Sequence, residues 1–302
     1  MRYLVVGLGN IGQKRRALLG ERCVATVDPY NGTADYGSVE ACSPDAYDAA
    51  VLAVPNETKL PLLEHLLAQG KHVLLEKPLL LPDRSTAERL DALARSHGAI
   101  WYTSYNHRFE PLMQRLREHL RANAIGRLYY GRFFYGNGTV QNVVGTWRDG
   151  GLGVAEDLGS HLLDLVGFLL DRRGENFEPL TLEHHEARGF DHCILASGDR
   201  SLVLEASYLS WKNTFTIDLV GEGGALHLSG LPKWGPSSLV LRNRVRPSGA
   251  PTEAVETAEP GRDLTWERDI AHFESIVGEG RTSMENDWWI SRTLAAIQPV
   301  AA

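Results

Sequence analysis

A Rossmann-type α/β domain followed by an α+β domain with an open, mostly antiparallel sheet is the fold class this sequence predicts. Three observations carry the expectation. Over the first hundred residues short apolar runs alternate with stretches of helical period, and the first such pair is joined by a glycine-rich turn, Gly7-Leu8-Gly9-Asn10-Ile11-Gly12. Beyond about residue 122 the pattern becomes a two-residue alternation broken by turn-forming clusters. The length of 302 residues suits two domains, and 43% hydrophobic residues supply their cores.

The first domain is expected to span residues 1–122, with strands at 2–6, 23–27, 49–54, 73–76 and 99–105 and helices at 11–19, 58–69 and 82–97. Strands separated by helices demand a parallel sheet, because parallel neighbours need a crossover element. A further helix at 109–120 closes this half. The second domain, 123–302, shows half-buried strand patterns at 128–135, 193–196, 201–209, 215–220 and 225–228, with turns such as Gly221-Glu222-Gly223-Gly224 between them. A long helix at 153–170 interrupts it, and helices at 264–277 and 287–297 end the chain. The closing stretch, about 283–298, is expected to pack back on the first domain. Residues 246–262, rich in Pro, Gly, Thr, Ala and Glu, read as an exposed loop.

Composition excludes several classes of function. With 31 Lys and Arg against 38 Asp and Glu the chain carries a charge of −7, which argues against a nucleic-acid binder. No apolar run approaches the ~20 residues needed to cross a bilayer, and the N-terminus lacks a secretory h-region, so no membrane association is expected and the cytoplasm is the expected compartment. Cys23, Cys42 and Cys193 form neither a disulfide framework nor a metal-ligand spacing, and no metal site is expected.

The chemistry begins at the turn. Gly7 permits a tight bend, Gly9 lets the backbone approach a pyrophosphate, and Gly12 lets helix and strand pack closely, while the helix N-terminus, from Asn10 and Ile11 onward, aims its N–H groups at phosphate. Asp28 ends the second predicted strand, where a carboxylate accepts hydrogen bonds from the adenosine ribose hydroxyls. An acid there repels a 2′-phosphate, and Pro29-Tyr30-Asn31 brings no cation, so NAD is expected over NADP. Pro55 and Asn56 follow the strand across the switch point and are expected to line the dinucleotide crevice, with helix capping an alternative role for Asn56.

Glu76-Lys77-Pro78 falls at the carboxyl end of the next parallel strand, the edge where open α/β sheets bind ligands. The proline ends the ladder there, leaving Lys77 either aimed into the crevice or as a plain surface lysine. On the helix at 153–170, about 100° per residue places Asp157, His161 and Asp164 on one face, beside a leucine face. Two readings stand for that face. In one, His161 moves a hydroxyl proton with Asp157 beside it; in the other, Asp157 is a first-turn acid and His161 a buried core residue.

These motifs together resemble the Gfo/Idh/MocA oxidoreductases, the glucose-fructose oxidoreductase and inositol dehydrogenase family. The resemblance rests on an N-terminal GxGxxG, Glu76-Lys77-Pro78, Tyr105-Asn106-His107-Arg108-Phe109, and Trp147-Arg148 followed by glycines and Asp157-Leu158-Gly159-Ser160-His161, all in family order. It implies NAD(P)-dependent hydride transfer at a carbinol or ketone carbon of a sugar, nucleotide sugar or cyclitol, in a homodimer or homotetramer. Lys77 would hydrogen-bond the reacting oxygen, His161 would be the general acid/base, and Asp157 would orient substrate or Lys77. Asn106 and Arg108 would lie near the nicotinamide or substrate, and Trp147 and Arg148 would border the pocket. A redox-neutral sugar-modifying enzyme that recycles NAD and a non-catalytic dinucleotide-binding regulator are the alternative functions. The turn after Val54 departs from the family in lacking the histidine that many members carry a few residues beyond the proline.

Overall fold

The computed structural model describes residues 1–138 and 140–297, apart from the side chain of Trp147. In chain order its elements are β1 (Tyr3–Val6), α1 (Asn10–Leu19), β2 (Cys23–Val27), β3 (Ala49–Leu52), α2 (Asn56–Ala68), β4 (His72–Glu76), α3 (Arg84–Ser96), β5 (Trp101–Ser104), α4 (Pro111–Arg121) and β6 (Leu128–Gly136). Then follow α5 (Ser160–Leu170), β7 (Phe177–Glu183), β8 (His192–Ser197), β9 (Leu202–Ser207), β10 (Thr214–Gly221), β11 (Gly224–Ser229), β12 (Ser237–Asn243), β13 (Thr252–Ala258), α6 (Thr265–Ile276) and α7 (Met284–Ala296). The described residues form two compact units, Met1–Asn106 with Trp266–Arg292, and His107–Thr265 with the residues from Thr293 to Ile297.

The first unit is built on a parallel sheet of order β2-β1-β3-β4-β5. Its strands are apolar on both faces because both faces are covered. Leu4, Val6, Ala50 and Leu52 enter a core with Leu63, Leu66 and Trp101, while Tyr3, Val5, Ala49 and Val51 enter another with Leu19, Ile270 and Phe273. The order in which strands are added reverses at β1, with β2 on one side of it and β3 on the other, so the carboxyl ends of β1 and β3 form the switch-point edge.

The second unit is an eight-stranded sheet of order β13-β12-β11-β10-β6-β9-β8-β7, antiparallel except for the parallel pair β6 and β9. The alternation in β10 is literal: Phe215, Ile217 and Leu219 are buried while Thr214, Thr216 and Asp218 are half-buried.

Three sequence expectations need revision. Residues 252–258 are not loop but the edge strand β13, paired to β12 from Ser237↔Ala258 to Asn243↔Thr252. Its Glu and Thr content hides the strand because an edge tolerates charge, and Glu256 fastens it to α4 through Arg115 Nε at 2.6 Å and His119 Nε2 at 2.7 Å. The helix read at 153–170 opens instead with a π-turn, Ala155–Gly159, before α5 becomes regular. Finally, the units divide after Asn106 and not at 122, because α4 packs on α5 and on β11 to β13. The closing helix α7 contributes its residues through Arg292 to the first unit.

Asp287 of α7 is wholly buried and accepts hydrogen bonds from Trp101 Nε1 at 3.0 Å, Thr103 Oγ1 at 2.8 Å and Ser283 Oγ at 2.9 Å. Replacing it by alanine leaves these donors inside the core, so Asp287→Ala is expected to lower the unfolding free energy by about 3 kcal/mol. Urea unfolding followed by tryptophan fluorescence checks this, and a loss below about 1 kcal/mol contradicts it.

Candidate functional site

The glycines of the turn after β1 do three different jobs. Gly7 sits at φ +89°, and a Cβ there would lie 2.4 Å from the Ala53 carbonyl oxygen. A Cβ on Gly12 would lie 1.7 Å from the Gly7 carbonyl oxygen, so only glycine lets α1 close on the turn. Around Gly9 there is no atom within 4 Å of a built Cβ. This open backbone, at the N-cap of α1 and continuing into Asn10 and Ile11, forms a cradle whose first-turn N–H groups lack intrahelical partners and can receive an anion.

Asp28 closes the far side. Its Oδ2 accepts from the Leu8 N–H at 2.7 Å and its Oδ1 from the Tyr30 and Asn31 N–H groups at 2.9 and 3.0 Å. The Leu8 bond, with the two turn amides, holds the carboxyl below its ordinary range, so it is a carboxylate at neutral pH with lone pairs left to accept further hydroxyls. Arg16, Asn31 and Thr33 line a cleft beside this turn together with Leu8 and Gln13.

Glu76 and Lys77 occupy the carboxyl end of β4, as the sequence suggests. Behind them stands Arg15, fully buried, one turn beyond the glycines on α1. Its Nε donates to Glu76 Oε1 at 2.8 Å, and its Nη2 donates to Asp269 Oδ2 at 2.8 Å and to Ser104 Oγ at 2.6 Å. The Trp266 ring centroid lies 4.5 Å from its Cζ. Lys59, also buried, donates from Nζ to Asn56 Oδ1 and to the Pro78 carbonyl, each at 2.7 Å. Thus Asn56 begins α2, after Pro55 at the N-cap, and is tied to the carbonyl of the Glu76-Lys77-Pro78 turn.

In the second unit the π-turn and the first turn of α5 carry Asp157 and His161, both buried. Asp157 Oδ2 accepts from Tyr208 Oη at 3.1 Å and forms an ion pair with Arg148 Nε at 3.2 Å. Burial, and after it the Asp157 carboxylate, pushes the Tyr208 phenol far above its ordinary range, so it keeps its proton. His161 stacks on His107, with centroids 4.3 Å apart and planes at 30°, and Tyr135 leans on both rings at 5.2 and 5.9 Å. His107 Nε2 in turn lies 3.0 Å from Lys233 Nζ.

Asp164, placed with Asp157 and His161 by the regular-helix reading, has a different partner. It takes both the Nε (2.7 Å) and Nη2 of Arg108, whose guanidinium lies 5.6 Å from the Phe168 ring centroid. The π-turn makes the 100° spacing inapplicable across Asp157. Asn106 is buried in a short 3₁₀ segment, Asn106–Phe109. The Trp147 side chain lies outside the described residues. Among the described residues no group of three or more His, Cys, Asp or Glu side chains is placed to hold a metal ion, and no helix is long and apolar enough to cross a membrane.

A switch-point sheet with a glycine turn open at Gly9 and an ionised acid after β2 is the arrangement of a Rossmann-type α/β domain. Comparison with known proteins agrees: residues 1–105 match the family described as oxidoreductases with an NAD-binding Rossmann fold, GFO_IDH_MocA. The chain is 29% identical over 189 residues to the uncharacterized oxidoreductase YdgJ of Escherichia coli, covering 61% of this chain and 54% of that one. It is also 29% identical over 144 residues to inositol 2-dehydrogenase 4 of Saccharopolyspora erythraea, covering 42% and 43%. These matches span about half the length of the curated relatives. Across 98% of this chain and 95% of the other, the fold matches that of an oxidoreductase from Agrobacterium radiobacter in complex with NAD+, L-tartaric acid and magnesium, with a TM-score of 0.79 at 18% identity. The match to the Gfo/Idh/MocA family model thus rests on residues 1–105, within the first unit.

Sequence reasoning assigns no role to Arg15, Lys59, His107, Tyr135, Tyr208 or Lys233. Arg15 and Lys59 carry a faint signal, as charged residues on helix faces otherwise turned to the core; the pairing of His107 with Lys233 crosses too much sequence for any local pattern to show.

The glycine geometry separates packing from ligand approach. Gly12→Ala is expected to lower the melting temperature by several degrees, because backbone must move, whereas Gly9→Ala stays within about 2 °C of the parent. Differential scanning calorimetry of the two variants distinguishes them, and equal losses contradict the assignment.

Proposed function

We propose that this chain is an NAD-dependent oxidoreductase that transfers hydride between nicotinamide and a carbinol or ketone carbon of a sugar, nucleotide sugar or cyclitol. The observation that carries the reading is the pairing of the open Gly9 cradle with the ionised Asp28. The name of a relative, an inositol 2-dehydrogenase, favours a polyhydroxylated substrate. When bound, the dinucleotide supplies the hydride acceptor or donor.

The residues of the chain do the rest. The Gly7 to Gly12 turn, with the amides of Asn10 and Ile11, binds pyrophosphate, and Asp28 accepts from the ribose hydroxyls. Asp28 opposes a 2′-phosphate, which supports NAD over NADP even though Arg16 lines the neighbouring cleft. Pro55, Asn56 and Glu76 border the dinucleotide, Lys59 fixing the first of these turns to the second. Lys77 hydrogen-bonds the reacting oxygen and stabilises developing alkoxide charge; His161 removes the O–H proton during oxidation and returns it during reduction. Asp157, held by Tyr208 and Arg148, keeps the His161 end of the helix in place and orients substrate. Asn106, Arg108, Trp147 and Arg148 bind the remaining substrate hydroxyls. The half-exposed face of the large sheet forms a homodimer or homotetramer contact, and free cysteines at 23, 42 and 193 suit the cytoplasm.

Screening inositols, free aldoses and nucleotide sugars for NAD reduction identifies the substrate. With it, Lys77→Ala and His161→Ala are each expected to lower kcat by about 10²- to 10⁴-fold while the NAD dissociation constant stays within a few-fold. Near-full turnover in either variant, with NAD still bound, contradicts these catalytic roles.

A further inference from the structure

His161 does not stand alone in its unit. Its ring lies against His107 at 4.3 Å, and His107 Nε2 lies 3.0 Å from the Lys233 ammonium. An ammonium has only donors, so at that distance Lys233 donates and Nε2 accepts. The proton of His107 then sits on Nδ1, and the ring is neutral. Lys233 is itself held from two sides, 3.7 Å from Glu110 Oε1 and 3.9 Å from Asp263 Oδ2, and its Nζ lies 5.1 Å from the Trp234 ring centroid. Its side chain is only 17% exposed, so water screens its charge weakly.

We propose that His107 and Lys233 are positioning residues for His161: the ammonium fixes His107 as a neutral ring, and this ring fixes the plane of His161 and holds down its affinity for a proton. The inference rests on His161 being the group that moves the substrate proton. A base must be unprotonated before the reaction, and a permanent cation behind the stack favours that state.

The other charges around the stack set the balance. Glu110, before α4, and Asp263, before α6, offset part of the Lys233 charge, and Asp157 favours imidazolium on His161 but is paired with Arg148. Arg108 and Asp164 neutralise each other on the following turn. Tyr135, a polar group against both rings, keeps its proton because burial pushes its phenol well above the ordinary range. Removing the Lys233 charge therefore changes the field at the stacked rings. Phe215 meets the His107 ring edge-on at 5.8 Å, and Tyr135 lies tilted against both histidine rings.

The test is an NMR titration of the histidine Cε1–H signals in the full chain, with His161 and His107 assigned by His161→Gln and His107→Phe. It needs no substrate. Lys233→Met is expected to raise the titration midpoint of the stacked rings by about one pH unit, a tenfold gain in proton affinity, while Lys233→Arg leaves it within a few tenths. In the unmodified protein, ¹⁵N spectra at neutral pH are expected to show His107 with a bare Nε2 and a protonated Nδ1. Equal midpoints in Lys233→Met and the parent overturn the proposal, and so does a protonated Nε2 on His107, which is readable even if the methionine variant does not fold. Full turnover in His161→Gln would instead end the acid/base reading of His161 and leave the titration result untouched, so the two failures are distinguishable.

Discussion

The approach of α1 to the turn that precedes it governs the first unit. With a Cβ position on Gly12 only 1.7 Å from the Gly7 carbonyl oxygen, backbone lies on backbone, and no other residue type leaves the helix where it is. From that contact the N-terminal amides of α1 acquire their direction, and one turn later Arg15 reaches the ends of β4 and β5. A guanidinium buried to this depth survives because Glu76 and Asp269 match its charge and Ser104 takes one of its donors. The turn that would hold phosphate and the turn that presents Lys77 are therefore parts of one rigid network.

The second unit solves a different problem, the placement of an imidazole. A single widened turn at Ala155–Gly159 brings Asp157 to Tyr208 and Arg148, and the regular helix after it delivers His161 to the His107 ring. π-Turns interrupt otherwise regular helices and are found mostly at functional sites, consistent with a working role for this segment. Two phenols here keep their protons: Tyr135, which lies against the His161 ring, and Tyr208, which donates to Asp157.

Much of this is legible in the sequence, for identifiable reasons. The strands β1 to β5 read as short apolar runs, and the steric demand on Gly12, set by the Gly7 carbonyl, lies within the six residues of the first turn. Asp28 falls at the end of β2, where its spacing from Gly9 places it. Other features have no local signature. Strand β13 carries the Glu and Thr of an exposed edge, so its composition imitates a loop. The π-turn breaks the helical period only slightly, which is why a regular-helix reading groups Asp164 with Asp157 and His161 although it pairs with Arg108. Contacts between His107 and Lys233, or between Arg15 and Asp269, join residues more than a hundred positions apart and exist only in the folded chain.

The proposed chemistry stands or falls with the Gly9 cradle and Asp28 together forming a site for NAD. Isothermal titration calorimetry of the chain with NAD+ and, separately, with NADP+ decides the matter without knowledge of the substrate. Saturable binding of one NAD+ per chain is expected, with NADP+ at least tenfold weaker. An absence of saturable NAD+ binding at millimolar concentration, or tighter binding of NADP+, would contradict that site.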